Sequence, residues 1–316
     1  SPTGKEYPKL MIAAALAKYL DAVGVIYRDY CNGPDMAGLS CGGIPVDLMK
    51  PFNHWLHRDL GEYTRSLTGV FDYAVQDYGY GDLNQTPACY ITRYMNLSNF
   101  AMVCAMGIGV NDWPRNIVEG YQQLPIRMAE TINQNQADAV QTGVTIDKIT
   151  ITDGIKVYTN GNGTPATYDK LIVTCMLDST LGDLITDLPD SYATYPPTQK
   201  EHPWAVYQEF VSGKDTDGAI YYTIGDGQET EETVRQNVID DSADLGYEVA
   251  AIQEIKQWNY FPHVLESDLK SGYYDSLEAL QGQNSTYFAG GLLSFETVHN
   301  VVTYTRNLIE DRGFFS

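Results

Sequence analysis

Thr286-Tyr-Phe-Ala-Gly-Gly-Leu-Leu-Ser-Phe-Glu-Thr-Val-His-Asn-Val-Val-Thr-Tyr-Thr-Arg306 is the stretch on which the reading of the whole chain turns. Tyr287 to Ala289 is short, aromatic and apolar, which predicts a strand. Gly290 and Gly291 break it. Beyond them Ser294, Glu296 and Thr297 make a polar helix start, and Val298, Val301, Val302 and Leu308 recur at helical spacing. A strand that turns through glycines into a helix brings bare backbone N–H groups and the positive end of a helix dipole to one point. Such a point suits a phosphate or the polar edge of a bound ring. The plainer reading is one more strand-turn-helix unit of an α/β protein.

A chain of 316 residues, 43% hydrophobic and 19% charged, is long and apolar enough to fold into one or two domains. Its 41 acidic residues against 20 basic ones give a net charge of −21, which argues against nucleic acid and anionic membranes as partners. The apolar run Leu10 to Leu20 is interrupted by Lys18 and is too short to span a bilayer. The five cysteines contain no C-x-x-C pair, so a zinc ribbon or thioredoxin motif is excluded. Cys175, inside Leu171-Ile-Val-Thr-Cys-Met-Leu177, is expected to be a buried thiol. Cys31 and Cys41 flank a Gly- and Pro-rich loop and are spaced to pair in an oxidising compartment. Sequons at Asn84, Asn96, Asn162 and Asn284, with a start that lacks Met as a processed chain does, point to secretion; the cytoplasm is the alternative.

In chain order, Tyr7 to Arg28 predicts an amphipathic helix, Val46 to Leu60 a second one restarted by Pro51, and Glu62 to Tyr78 a third. His54-x-x-His57 has the spacing of two metal ligands on one helix face, with no third ligand nearby. Pro87 to Met95, rich in Tyr and Ile, predicts a strand or a strand-like entry to a helix. Glu119 to Ile132 is a glycine-led turn into a helix. From Val144 to Thr174 the pattern changes to strands separated by Asp153-Gly154 and Asn160-Gly161, a β-meander. Gly161-x-Gly163-x-x-Ala166 matches a dinucleotide fingerprint in letters only, since a Pro and a strand follow where a helix is required. Strands are expected at His202 to Gly213, Ala219 to Ile224 and Ile252 to Lys256. An acidic helix is expected at Glu229 to Gly246 and a short one at Gly272 to Gln281.

Several of these segments, in this order, resemble the flavin-containing amine oxidase family, in particular members described as cyclopiazonate-dehydrogenase-like oxidoreductases. Gly120-Tyr-Gln-Gln-Leu124 is similar to the helix entry before the cofactor meander. Val144-Thr-Ile-Asp-Lys-Ile149 with Tyr168-Asp-Lys-Leu-Ile-Val-Thr174 resembles the meander itself, and Trp258-Asn-Tyr-Phe-Pro-His-Val264 the aromatic segment that approaches the flavin. Tyr287-Phe-Ala-Gly-Gly291 with Glu296-Thr-Val298 is similar to the closing strand and helix. The resemblance implies a mixed α/β fold and FAD as cofactor, held by Val144, Gly290, Gly291, Glu296, Thr297 and Val298. It implies Trp258, Tyr260 and Phe261 as the catalytic wall against which a small organic substrate is oriented. It divides the chain into a helical and substrate-domain part (1–118), a flavin-domain helix and meander (119–180), a substrate-domain sheet (181–264) and the closing strand and helix (265–316).

Two departures from the family qualify that expectation. Gly291 and Leu292 stand where an acidic residue follows the last glycine, and the first βαβ unit with its glycine fingerprint is missing, Gly107-x-Gly109 having no third glycine. The FAD-binding domain is therefore expected to be incomplete, and a separate N-terminal chain or second subunit to complete it. The competing reading is a cofactor-free remnant acting as a binding or partner subunit. For each group there is also a structural role: core packing for the aromatics, and helix capping for Glu296 and Thr297. A hydrolase built on Asp240, Asp241 and Glu254 lacks any distinctive spacing, and no G-x-S-x-G nucleophile elbow occurs.

Overall fold

A computed structural model describes residues 8–29, 43–76, 78–97, 99, 119–175, 179–188, 199–210, 218–225, 228–311 and 314. The Cys31–Cys41 loop and Gly107-x-Gly109 lie outside them. The fold is a mixture of helices and sheets, as expected. No helix among the described residues is long and apolar enough to cross a membrane.

Helix α1 (Lys9–Asp29) buries Ala15, Tyr19 and Val23, one side chain per turn on one face. The Tyr19 hydroxyl donates to the Met95 carbonyl at 2.8 Å, and its ring packs on Phe52, Trp55 and Phe71 with centroids 4.8 to 6.5 Å away. The predicted helix from Val46 to Leu60 is divided. A 3₁₀ turn (Val46–Met49) ends before Pro51, and Phe52–His54 runs into a π-helical turn (Trp55–Asp59). Proline offers no N–H and sets the break. In the π turn, His57 bonds the Thr68 hydroxyl at 2.8 Å while His54 is exposed. No group of three metal-ligating side chains exists among the described residues.

Residues 87 to 95, for which the sequence left a strand or a strand-like entry to a helix open, form helix α2 (Ala88–Tyr94). Ala88 through Arg93 are all buried, so the helix is enclosed on every side and carries no polar stripe to betray its period.

Helix α3 (Gln123–Asn135) leads to β1 (Ile146–Thr150), β2 (Ile155–Thr159) and β3 (Ala166–Tyr168), an antiparallel meander. Gly154 and Gly161 adopt φ of +80° and +69° at its two turns, which is why Asp-Gly and Asn-Gly stand there. The Gly161 motif is thus a hairpin turn. The strand β4 (Leu171–Val173) leaves the meander, contrary to the sequence reading, and pairs in parallel with β9 (Thr286–Phe288), Val173 opposite Phe288. Its three aliphatic residues satisfy a more buried setting than the exposed β3 offers.

The remaining sheet is centred on β5 (Gln199–Phe210), which pairs antiparallel with β6 (Gly218–Gly225), β7 (Val249–Gln257) and β8 (Tyr260–His263). Helix α4 (Glu231–Asp244), capped by the Thr230 hydroxyl accepting from the Thr233 N–H, covers one face with Val234 and Val238 against Trp204 and Val206. After β9 come a short helix α5 (Gly291–Ser294) and, past Phe295, the closing helix α6 (Val298–Asp311). Of the sequons, Asn162-Gly-Thr164 is exposed at both ends, whereas Thr86 and Thr286 are buried.

Candidate functional site

A cavity of about 160 Å³ opens beyond the carboxyl ends of β4 and β9. Its walls are Thr174 and Cys175 after β4, Asn259 to Pro262 at the start of β8, Ala289 to Leu293, and Glu296. Crevices past the carboxyl ends of parallel strands are the usual ligand sites of α/β sheets. The Ala289 N–H donates to the Val173 carbonyl at 2.9 Å, so the two strand ends are held together at the floor.

Each wall is shaped by its local backbone. Gly290 has φ +134°, open to glycine and strained for other residues. A Cβ on Gly291 would collide with the Glu296 carboxyl, so only glycine lets that carboxyl lie over the chain. The predicted single helix start is a kink: Phe295 sits at φ +79° between α5 and α6, with its N–H donating to Gly291 O at 2.7 Å. Phe261 adopts φ +48° within β8. Positive φ at a bulky residue costs about 1–3 kcal/mol and persists only where packing imposes it. Here it does. The Phe261 ring stacks on His263 at 4.4 Å and meets Tyr80, Tyr90 and Phe295 at 5.2 to 5.8 Å, while Phe295 lies 5.0 Å from Tyr80.

The predicted site residues separate into groups. Gly290, Gly291, Glu296, Tyr260 and Phe261 come together at the cavity. Phe261 is only 1% exposed and serves mainly as aromatic core, whereas Trp258 is 46% exposed and lies off the cavity wall. Thr297 caps α6, its hydroxyl accepting from the Asn300 N–H at 3.3 Å, and the Val298 side chain is exposed. Val144 is half-buried just ahead of β1, away from the cavity. Cys175 is exposed at the cavity edge rather than buried, because β4 ends at Val173. Tyr80 went unrecognised in the sequence. Its hydroxyl shares a hydrogen bond with that of Tyr260, and Gly79 and Gly81 flank it.

Burial pushes the Glu296 carboxyl up to about 7 and pulls the His263 imidazole, whose Nδ1 donates to Phe261 O at 2.8 Å, down to about 4. Burial likewise raises both the Tyr80 and the Tyr260 hydroxyls. The two shifts at Glu296 and His263 oppose each other in stability. Between pH 4.5 and 7 the unfolded chain releases the Glu296 proton while the native state keeps it, so stability falls as pH rises. Between pH 4 and 6.5 the unfolded chain binds a proton at His263 that the native state excludes, so stability rises with pH. Glu296→Gln is therefore expected to gain stability relative to the wild type by about 2–3 kcal/mol between pH 4.5 and pH 7.5, read from denaturant titrations at each pH. A constant difference across that range would contradict the assignment.

No family model matches the sequence, and no curated protein does. Solved structures share the fold. The CLA-producing fatty acid isomerase from P. acnes superposes with a TM-score of 0.79 at 23% identity, over 99% of this chain and 77% of that one. Cyclohexylamine oxidase from Brevibacterium oxydans IH-35A gives 0.57 at 14% identity, over 96% and 75%. A protein provisionally assigned as a protoporphyrinogen oxidase from Exiguobacterium sp. 255-15 gives 0.58 at 12%, over 84% and 67%. At these identities the likeness is one of fold.

Proposed function

We propose that the chain is an FAD-dependent oxidoreductase of the amine-oxidase type, acting on a small organic substrate, with its flavin site completed by a further strand-and-helix unit from an N-terminal segment or second subunit. The observation that carries this reading is the meeting of two glycines, aromatic walls and a carboxyl of raised pKa beyond the ends of β4 and β9. It gains support from a fold shared with two proteins named as oxidases and an isomerase. FAD, when bound, takes hydride from a substrate C–H and passes electrons to oxygen or another acceptor. The bare backbone at Gly290 and Gly291 would admit the flat edge of the ring, and Glu296 and the first turn of α6 at Thr297 and Val298 would meet its polar atoms. The resemblance assigns Val144 to the adenine end. Tyr260 and Phe261 would orient the substrate and exclude water.

A cavity of about 160 Å³ fits the edge of a flavin, whereas whole-ligand sites run to about 300–1,000 Å³. Two further observations support a completing unit. β4 and β9 form a two-stranded parallel sheet, and such sheets are stable only when extended and covered on both faces. The outer edge of β9 is already closed, since Gln281 bonds both Phe288 backbone groups at 2.8 Å and the Gly282 N–H donates to Thr286 O at 2.9 Å. β4 has no second strand beside it among the described residues, and Leu171 and Ile172 are only half-buried. Meanwhile α3 buries nothing and exposes Leu124, Met128 and Ile132 along one stripe, with Tyr121 exposed just ahead of it, and such stripes are ordinarily covered. A βαβ unit adding a parallel strand to β4 and resting on α3 would satisfy both.

The small cavity equally favours the second reading, a cofactor-free subunit that binds a partner. Titrating FAD fluorescence with the chain separates the two. Saturable quenching is the expected result, weak because the completing unit is absent but present because the wall at Gly290, Gly291 and Glu296 belongs to this chain; unchanged fluorescence at high protein concentration would favour the cofactor-free subunit.

A further inference from the structure

We propose that the outer edge of β6 is a self-association surface, at which a second copy of this chain adds its own β6 antiparallel across a two-fold axis. This association needs neither FAD nor the unit that completes its site.

Among the described residues β6 (Gly218-Ala-Ile-Tyr-Tyr-Thr-Ile-Gly225) pairs with β5 alone, which leaves its other edge without a strand. Open edges are normally blunted by charge, proline or a bulge. β6 has none of the three. It is the longest described strand without a charged residue or a proline, in a chain of net charge −21. Its register with β5 runs unbroken from Glu209 opposite Gly218 to His202 opposite Gly225. The opposite edge of the sheet, β7, is protected. It breaks register with β5 twice and carries the Glu254–Lys256 ion pair at 2.6 Å.

The side chains of β6 fit a second copy. On the face away from α4, Ile220 and Tyr222 are 57% and 60% exposed, and Tyr207 lies opposite Ile220 on β5. Crossing that face from β7, the side chains pass from the Glu254–Lys256 ion pair through Tyr207 to Ile220 and Tyr222. Charge thus gives way to apolar surface toward the open edge. Directly opposed residues of an antiparallel pair share a face. A two-fold axis at Tyr221 therefore sets Ile220 of each copy against Tyr222 of the other, and Tyr221 against itself. That register joins two apolar half-patches into one. The acidic helix α4 lies over β5 and β7 and so stands back from the seam. Two copies of charge −21 repel each other, and they meet with least repulsion along a strand that adds no charge. A charged partner peptide would find no complement on β6, whereas the two-fold pair closes on itself and uses up both open edges. One strand a side buries less than the roughly 1,600 Å² of a standard interface, so the dimer is expected to be a weak one.

Sedimentation of the chain over about 1–200 μM is expected to show a monomer passing to a dimer, with a Kd of about 1–100 μM that tightens as salt screens the like charges. Ile220→Lys puts a lysine into the seam and should weaken the dimer by about tenfold or more. Its far-UV circular dichroism should match the wild type, since the side chain it replaces is exposed. Gln253→Lys, which adds the same charge on β7, should not weaken the dimer. Mixing Ile220→Cys with Tyr222→Cys chains under mild oxidation should link position 220 of one copy to position 222 of the other, read from the mass of the joined peptides. A chain that stays monomeric at about 200 μM, or a dimer that loosens as salt rises, would overturn the proposal. So would a dimer as tight in Ile220→Lys as in the wild type, or links that avoid the 220–222 pair.

Discussion

Phe261→Ala is expected to destabilise the chain by about 3–5 kcal/mol, the largest effect of any substitution around the cavity. The ring is buried on all sides and joins four neighbours, Tyr80, Tyr90, His263 and Phe295, that come from separate parts of the chain. Removing it leaves a void that this aromatic layer is too rigid to fill. The strain at φ +48° supplies an internal control. Glycine accepts that backbone freely, so Phe261→Gly should be no less stable than Phe261→Ala although it removes one more carbon. Denaturant midpoints of the two variants decide the point. Alanine clearly the more stable of the two would mean that the strained conformation is not the native one.

Gly291→Val is expected to leave the fold standing but weaken flavin binding by about 10–100-fold, the effect of 1–3 kcal/mol of overpacking at a ligand contact. A Cβ here meets the flexible end of Glu296 and not backbone, so the carboxyl swings away and the chain adapts. Two readings of the same variant belong together. FAD affinity should drop, and the Glu296 titration should move down toward the ordinary value of 4.5 as the carboxyl reaches water. Unchanged affinity with a displaced carboxyl would place the flavin elsewhere.

What the sequence disclosed follows from what leaves a local trace. The one-face burial of α1, the turns at Gly154 and Gly161, and the strand broken at Gly290 each come from a residue's own backbone preference or from a single solvent boundary. The errors occur where burial removes that boundary. α2 is enclosed on all sides, so its Tyr and Ile content left strand and helix entry undecided. β4 looks like the last strand of the meander because only its long-range parallel partner, 115 residues away from Leu171 to Thr286, draws it out. Within the site, Gly290 and Gly291 were legible as a turn and Glu296 as a polar helix start. The kink at Phe295, which sets the carboxyl over Gly291, was not, because a phenylalanine at φ +79° contradicts its own preference and exists only through the rings packed on it. Tyr80 and Tyr260 are joined by tertiary structure across some 180 positions of sequence, and no spacing rule connects them.

The central claim is that a flavin edge meets the backbone between β9 and α6. The most direct measurement is an amide NMR titration of the ¹⁵N-labelled chain with FAD. Saturable shifts concentrated at Gly290, Gly291, Glu296 and Thr297, lost in Gly291→Val, are the result expected. Shifts that never saturate, or that gather away from these residues, would contradict it.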